Sequence, residues 1–181
     1  MSNELLKPGK PNGLSLFAFN VADVICTAFV ILLLVFTFGL RTSWVIGPSM
    51  NPTLHNGQFL VITAAPRQLR YGDIVVVSET GTNLPERQPI VKRVIGLPGD
   101  VMSFDFEKGI VYRNGEALRE PYIAEPTYLH NYWGGETPLP CTVPAGRCFI
   151  MGDNRNDSTD SRSAMVGLVD VRDVVGVKMG K

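Results

Sequence analysis

The chain has 181 residues, and its 17 lysines and arginines are balanced by 17 aspartates and glutamates. That balance excludes the basic excess on which electrostatic nucleic-acid binding rests, so no nucleic-acid partner is expected. With an apolar N-terminal segment set aside, about 140 residues remain, one domain's worth and enough for a real core.

Taken in chain order, residues 1–13 are a polar lead carrying Lys7 and Lys10. From about Leu14 to Leu40 the sequence is strongly apolar, and Val24 to Leu40 holds no charge. As a helix that clean part spans roughly 25 Å, and Leu16 to Val21 extends it to bilayer thickness. Asn20 and Asp23 then lie near one interface or face a partner, and Arg41 and Trp44 suit the other. A cleavable signal sequence would have a shorter apolar core followed by a small-x-small site. Here Arg41-Thr42-Ser43-Trp44 follows instead, so residues 14–42 read as a retained transmembrane helix. The basic residues ahead of it place 1–13 in the cytoplasm and 43–181 on the extracytoplasmic side of a single-pass protein in the cell membrane. Cys26, inside the apolar run, reads as a small hydrophobe.

After residue 44 short runs alternate or are β-branched: 59–62, 73–77, 90–95, 101–106, 110–113, 149–151 and 174–179. Each is bounded by Gly, Pro, Asn or Asp, and Asn114-Gly115 is a strong hairpin signal. The fold class this predicts is mainly β, an antiparallel coiled-sheet domain after one N-terminal helix, with an irregular insertion over about 101–141. Within that insertion the stretch 122–140 lacks periodicity. Cys141 and Cys148 flank a Pro144-Ala145-Gly146 turn. They could face each other across a hairpin as a disulfide, or stand as two unpaired core cysteines. Their spacing is not that of a zinc site, no metal-ligand cluster is visible, and no cofactor is implied.

Three segments carry chemistry. Ser49 lies in Gly47-Pro48-Ser49-Met50-Asn51-Pro52-Thr53-Leu54, a constrained turn able to project a hydroxyl and expose a backbone N–H; a serine in such a loop is also commonly just a turn residue. Lys92 lies in Ile90-Val91-Lys92-Arg93-Val94-Ile95. On a strand it shares one face with Ile90 and Val94, while Arg93 shares the other with Val91 and Ile95. A lysine on an apolar face either snorkels to water or is held neutral as a base, which requires burial away from carboxylates. The third segment, Gly152 to Arg162, is too polar for an ordinary loop. A serine needs a base to become a nucleophile. His55, in a turn, and His130, in the irregular stretch, both read as solvated, and Lys92 is the base that could take their place if it is held neutral.

These residues carry a resemblance. Ser49-Met50-x-Pro52-Thr53-Leu54, then Tyr71-Gly72-Asp73-Ile74-Val75-Val76, then Lys92 to Asp100, then Gly152-Asp153-Asn154-Arg155 through Ser158-x-Asp160-Ser161-Arg162 are similar to the four ordered motifs of bacterial type I signal peptidases. Glu120-Pro121-Tyr122-Ile123 fits the family as well. The resemblance implies Ser49 as nucleophile, Lys92 as general base and Ser158 as the hydroxyl that orients the lysine amine. It also implies structural ion pairs between Asp160 and Arg162 and between Asp153 and Arg93. Some members carry a serine two residues before the nucleophile as a second oxyanion donor; here that position is Gly47, so more of this work falls to the Ser49 N–H.

The expected activity is a membrane-bound endopeptidase that removes signal peptides from exported preproteins. Its partners would be the lipid bilayer and extended signal peptides with small residues at positions −1 and −3. Val45, Met50, Leu54, Ile90 and Val91 offer apolar walls for such pockets. Two other readings fit less well: a peptidase of the same clan dedicated to pilins or a single substrate, and an anchored β domain that binds peptides without cutting them. The common form of the first and last motifs argues against the former, and intact Ser49, Lys92 and Ser158 against the latter.

Overall fold

The computed structural model describes residues 12–64, 68–78, 82–84, 88–129 and 137–180. The chain divides into two compact units, Met1–Gly39 and Leu40–Lys181. The first contains helix α1 (Gly13–Leu34), continued by a π-helical turn at Val35–Gly39. The 22 residues of α1 reach roughly 33 Å. No residue in the helix is buried, and it lacks the single apolar face of a helix packed on a core. Among the described residues it is the one helix long and apolar enough to cross a membrane, over Gly13–Thr37.

The apolar segment stops short of the expected residue 42. Leu40–Trp44 instead forms β1, an edge strand paired with β2 (Phe59–Ala64) so that Trp44 stands opposite Phe59. Arg41, Thr42 and Ser43 break the apolar run, and strand pairing satisfies their backbone groups. The second unit therefore begins with a strand that a cut at residue 42 would halve.

The remaining strands are β3 (Ile74–Val77), β4 (Ile90–Gly96), β5 (Val101–Asp105), β6 (Ile110–Arg113), β7 (Glu116–Ala117), β8 (Cys141–Thr142), β9 (Arg147–Met151), β10 (Val169–Asp170) and β11 (Val174–Lys178). Seven form one sheet in the order β1-β2-β11-β3-β4-β9-β10, and four form a second in the order β7-β6-β5-β8. The pairings are antiparallel, so the unit is mainly β.

The large sheet buries both faces because its central strands alternate between two apolar sets. Val75 and Val77 of β3 join Val94, Cys148 and Ile150 on one side. Ile74 and Val76 join Val45, Met50, Leu54, Leu60, Ile62 and Val91 on the other. A third cluster, with Ile95, Met102, Val111, Phe149 and Met151, joins the two sheets. This arrangement follows from the period-2 geometry of strands and fixes the register of β4, the strand that carries Lys92.

The expected irregular insertion is partly regular. Residues 101–117 are a three-strand meander, β5 to β7, with Asn114-Gly115 turning between β6 and β7. Alternation in Val101–Asp105 and Ile110–Arg113 suffices for pairing even on short strands. Residues 118–129 lack strands, and 130–136 lie outside the described residues together with residues 1–11.

The cysteines do not sit across a hairpin. Cys141 pairs within the small sheet, in β8, and Cys148 within the large sheet, in β9. The turn at 144–146 hands the chain from one sheet to the other. Both are free thiols, and burial pushes Cys141 up from the usual thiol range and Cys148 to about 12.

Candidate active site

The site gathers on three supports: the 45–58 loop between β1 and β2, strand β4, and the segment that follows β9. The loop is fastened to itself. Val45 N–H donates to Gln58, Gly57 N–H to Val45, Asn51 N–H to Pro48 and Leu54 N–H to Met50, at 2.8–2.9 Å. Its apolar members Val45, Met50 and Leu54 are sunk in the core. Gly47 adopts φ +85°, a left-handed conformation in which a side chain is strained, and its N–H donates to Asn56 Oδ1 at 2.9 Å.

The structure brings Ser49 and Lys92 together: Lys92 Nζ stands 2.6 Å from Ser49 Oγ. Lys92 is 4% exposed, on the strand face it shares with Ile90 and Val94, opposite Val75 of β3. Burial is the main force on its amine and pushes the pKa down to about 8. Asp160 works against that shift, Arg162 with it, and Asp153 and Asp157 against it. A hydroxyl beside an amine that loses its proton near pH 8 is an arrangement capable of nucleophilic attack with the amine as base.

Ser158 and Asp160 close the site from the post-β9 segment. Ser158 Oγ donates to Asp160 Oδ2 at 2.9 Å. The same carboxylate accepts from Gly152 N–H at 3.1 Å and from Arg162 Nε and Nη2, each at 2.9 Å. Burial raises the cost of the Asp160 charge, yet Arg162 and these hydrogen bonds outweigh it and hold the carboxyl below the ordinary range. The second pair lies on the opposite face of β4. Arg93 donates to Asp153 from Nε at 2.8 Å and from Nη2 at 2.6 Å, and its guanidinium lies 4.1 Å over the Tyr122 ring.

The sequence profile described as Signal peptidase, peptidase S26 matches residues 18–179. The chain belongs to that family. Signal peptidase I of Bacillus licheniformis is 37% identical over 164 residues, covering 87% of this chain and 84% of its own. A probable signal peptidase I-1 of Synechocystis is 34% identical over 163 residues, covering 84% and 76% respectively. A crystal structure of a signal peptidase I from Enterococcus faecalis has a TM-score of 0.46 and 30% identity, covering 61% of this chain and 97% of that one.

Of the apolar residues expected to wall a signal peptidase pocket, Val45, Met50, Leu54 and Val91 meet in one cluster. Ile90 points to the other face and packs against the cluster of Val75 and Val94. His55 is exposed and its Nδ1 lies 3.0 Å from Asn51 Oδ1; His130 lies outside the described residues. Among the described residues no three His, Cys, Asp or Glu side chains gather around a common metal position.

Several residues that the sequence places within motifs, without a role, brace this site. Gly152 is the tightest: a Cβ there would lie 2.3 Å from Ser158 Oγ and 2.4 Å from the Ser49 carbonyl, so only glycine lets the two segments meet. Asn154 N–H donates to that same Ser49 carbonyl at 3.0 Å. Arg155, fully buried, forms a bidentate pair with Glu120 at 2.6 Å and donates from Nε to the Gly152 carbonyl at 3.0 Å. Tyr122 donates to Glu120 at 3.1 Å, so the 120–122 arm braces the segment from outside. Glu120 and Tyr122 lie far from the segment in sequence, and their one signal was the Glu-Pro-Tyr-Ile match to the family.

Proposed function

We propose that this chain is a membrane-anchored signal peptidase in which Ser49 is the nucleophile and Lys92 the general base. The observation that carries the reading is the 2.6 Å approach of a buried amine, its pKa pushed down to about 8, to a serine hydroxyl. Ser49 Oγ attacks the scissile carbonyl while neutral Lys92 accepts its proton. The lysine then delivers that proton to the leaving amine, and an acyl-enzyme remains. Water, deprotonated by Lys92, releases the acyl group and restores Ser49. The Ser49 backbone N–H is the oxyanion donor, with Gly47 supplying no side chain. Ser158 commits its proton to Asp160. Its oxygen is thereby left to accept an N–H from Lys92, which turns the amine's lone pair toward Ser49.

The substrate is an extended signal peptide of an exported preprotein, with small residues at −1 and −3, lying along the loop and β4. Shallow pockets suit small residues, and the buried positions of Met50 and Leu54, each 1% exposed, support a shallow floor. Membrane anchoring by residues 13–37 is supported by the helix and by an exposed apolar strip of Trp44, Ile46, Phe59 and Val61 on the second unit. The catalytic unit would then lie on the extracytoplasmic side. The test is cleavage of a preprotein by the purified full chain in detergent. Ser49→Ala and Lys92→Arg should each lose at least about 10³-fold, since a guanidinium stays protonated near neutral pH. Cleavage by either variant at close to the parent rate would contradict the assignment.

A further inference from the structure

The loop bearing Ser49 is fastened to itself by backbone bonds and seated on Val91 of β4 by Met50 and Leu54, and polar ties then refine its distance from Lys92. That setting also depends on ties from the loop to the elements around Lys92, the post-β9 segment and β4. Asn154 supplies two to the backbone, its N–H to the Ser49 carbonyl at 3.0 Å and its Nδ2 to the Pro48 carbonyl at 3.4 Å. Thr53 supplies a third kind. Its hydroxyl donates to Asp153 Oδ2 and accepts from Arg93 Nη2 at 3.4 Å. Arg93 is the residue after Lys92, and strand alternation sends it to the opposite face, where it grips Asp153 twice and the Gly72 carbonyl once, at 2.9 Å. A triangle of Thr53, Arg93 and Asp153 thus connects the nucleophile loop, the lysine strand and the post-β9 segment at one point.

Two further facts make the hydroxyl the part of Thr53 that matters. Asp153 is fully buried, so each donor to its carboxylate weighs heavily. Thr53 also lines an open depression of about 520 Å³, together with Tyr71, Arg93 and Lys178, so close packing does not hold it on that side. The neighbouring anchors Met50 and Leu54 are each buried in the core, so the loop keeps an apolar attachment that does not depend on the hydroxyl of Thr53.

We propose that Thr53 is a positioning residue, whose hydroxyl keys the Ser49 loop to the Arg93–Asp153 pair and so sets the separation of Ser49 Oγ and Lys92 Nζ. The inference rests on the Ser49–Lys92 reading above. It acts through geometry, not charge: a neutral hydroxyl is removed while the Asp153 charge that acts on Lys92 stays. The experiment compares Thr53→Val, which keeps the shape and deletes the hydroxyl, with Thr53→Ser, which keeps the hydroxyl. Both are made in the full chain in detergent and assayed on a synthetic signal peptide with alanine at −1 and −3. Thr53→Val should lower kcat by roughly 10- to 100-fold, the scale of a misplacement of about 1 Å. KM and the midpoint of the pH profile should stay unchanged, and Thr53→Ser should restore kcat to within about threefold. Should Thr53→Val not fold, Thr53→Ala replaces it, and the proposal then requires an impaired Ala variant beside an active Ser variant. Unchanged kcat without the hydroxyl overturns it, as does a Thr53→Ser variant no better than the hydroxyl-free one. Ser49→Ala is run alongside: if it still cleaves, the dyad reading itself fails, whereas a dead Ser49→Ala beside a fully active Thr53→Val removes only the role of Thr53.

Discussion

Lys92 and Arg93 are neighbours on β4, both nearly hidden from water, and the two faces of the strand treat them in opposite ways. Arg93 meets a carboxylate in bidentate contact, a backbone carbonyl and an aromatic face. Lys92 meets a serine hydroxyl among apolar side chains, and burial works against its charge. One residue of register therefore separates a cation paired to a buried carboxylate from one whose charge burial opposes. A strand suits this task because adjacent side chains cannot share an environment.

Making the same change at both positions gives the sharpest contrast. Arg93→Met leaves Asp153 buried without its counter-charge, and stability to denaturant should fall by about 3–5 kcal/mol. Lys92→Met should do the reverse. The folded-state pKa of about 8 lies below the ordinary 10.5, so at pH 7 the fold carries an unfavourable buried charge of about 3 kcal/mol that methionine removes. Between those two pKa values the parent's folded state has shed a proton that its unfolded state keeps. The parent therefore gains stability as pH rises from about 8 to 10.5, and the advantage of Lys92→Met should fade over that window. Denaturant midpoints at pH 7 and pH 10 read both effects. If both substitutions destabilise by similar amounts, the two faces are not as different as described.

A smaller effect tests the amine's orientation. Ser158→Ala should lower kcat by roughly 10- to 1,000-fold, because a lysine on four rotatable bonds then loses the group proposed to hold it. Preference for small residues before the cut should persist, since the apolar walls are untouched. Competition between peptides with alanine and with larger residues at −1 measures this, and full activity in Ser158→Ala would remove its assigned role.

How much of this was legible in the sequence follows the same physics. The central strands could be read because both of their faces carry apolar side chains at period 2, and Lys92 stood out because it interrupts such a face. Leu40–Trp44 was missed because an edge strand with Arg41, Thr42 and Ser43 carries little core signal and follows directly on an apolar helix. β8 and β10 are two residues each, too short for any period. Ile90 and Val91 were both expected at one pocket, although neighbours on a strand point apart, and Ile90 packs on the other side. The ties from Thr53 to Asp153 and from Glu120 to Arg155 cross 100 and 35 residues of chain, and no local pattern encodes such partners.

The central claim is that neutral Lys92 is the base, and the pH dependence of kcat/KM tests it most directly. The measurement uses the full chain and a variant with both His55 and His130 replaced. Both should show one rise with pH, with a midpoint near 8 set by the burial of Lys92. A rise that disappears when the histidines are replaced would contradict it, as would a profile that is flat across that range.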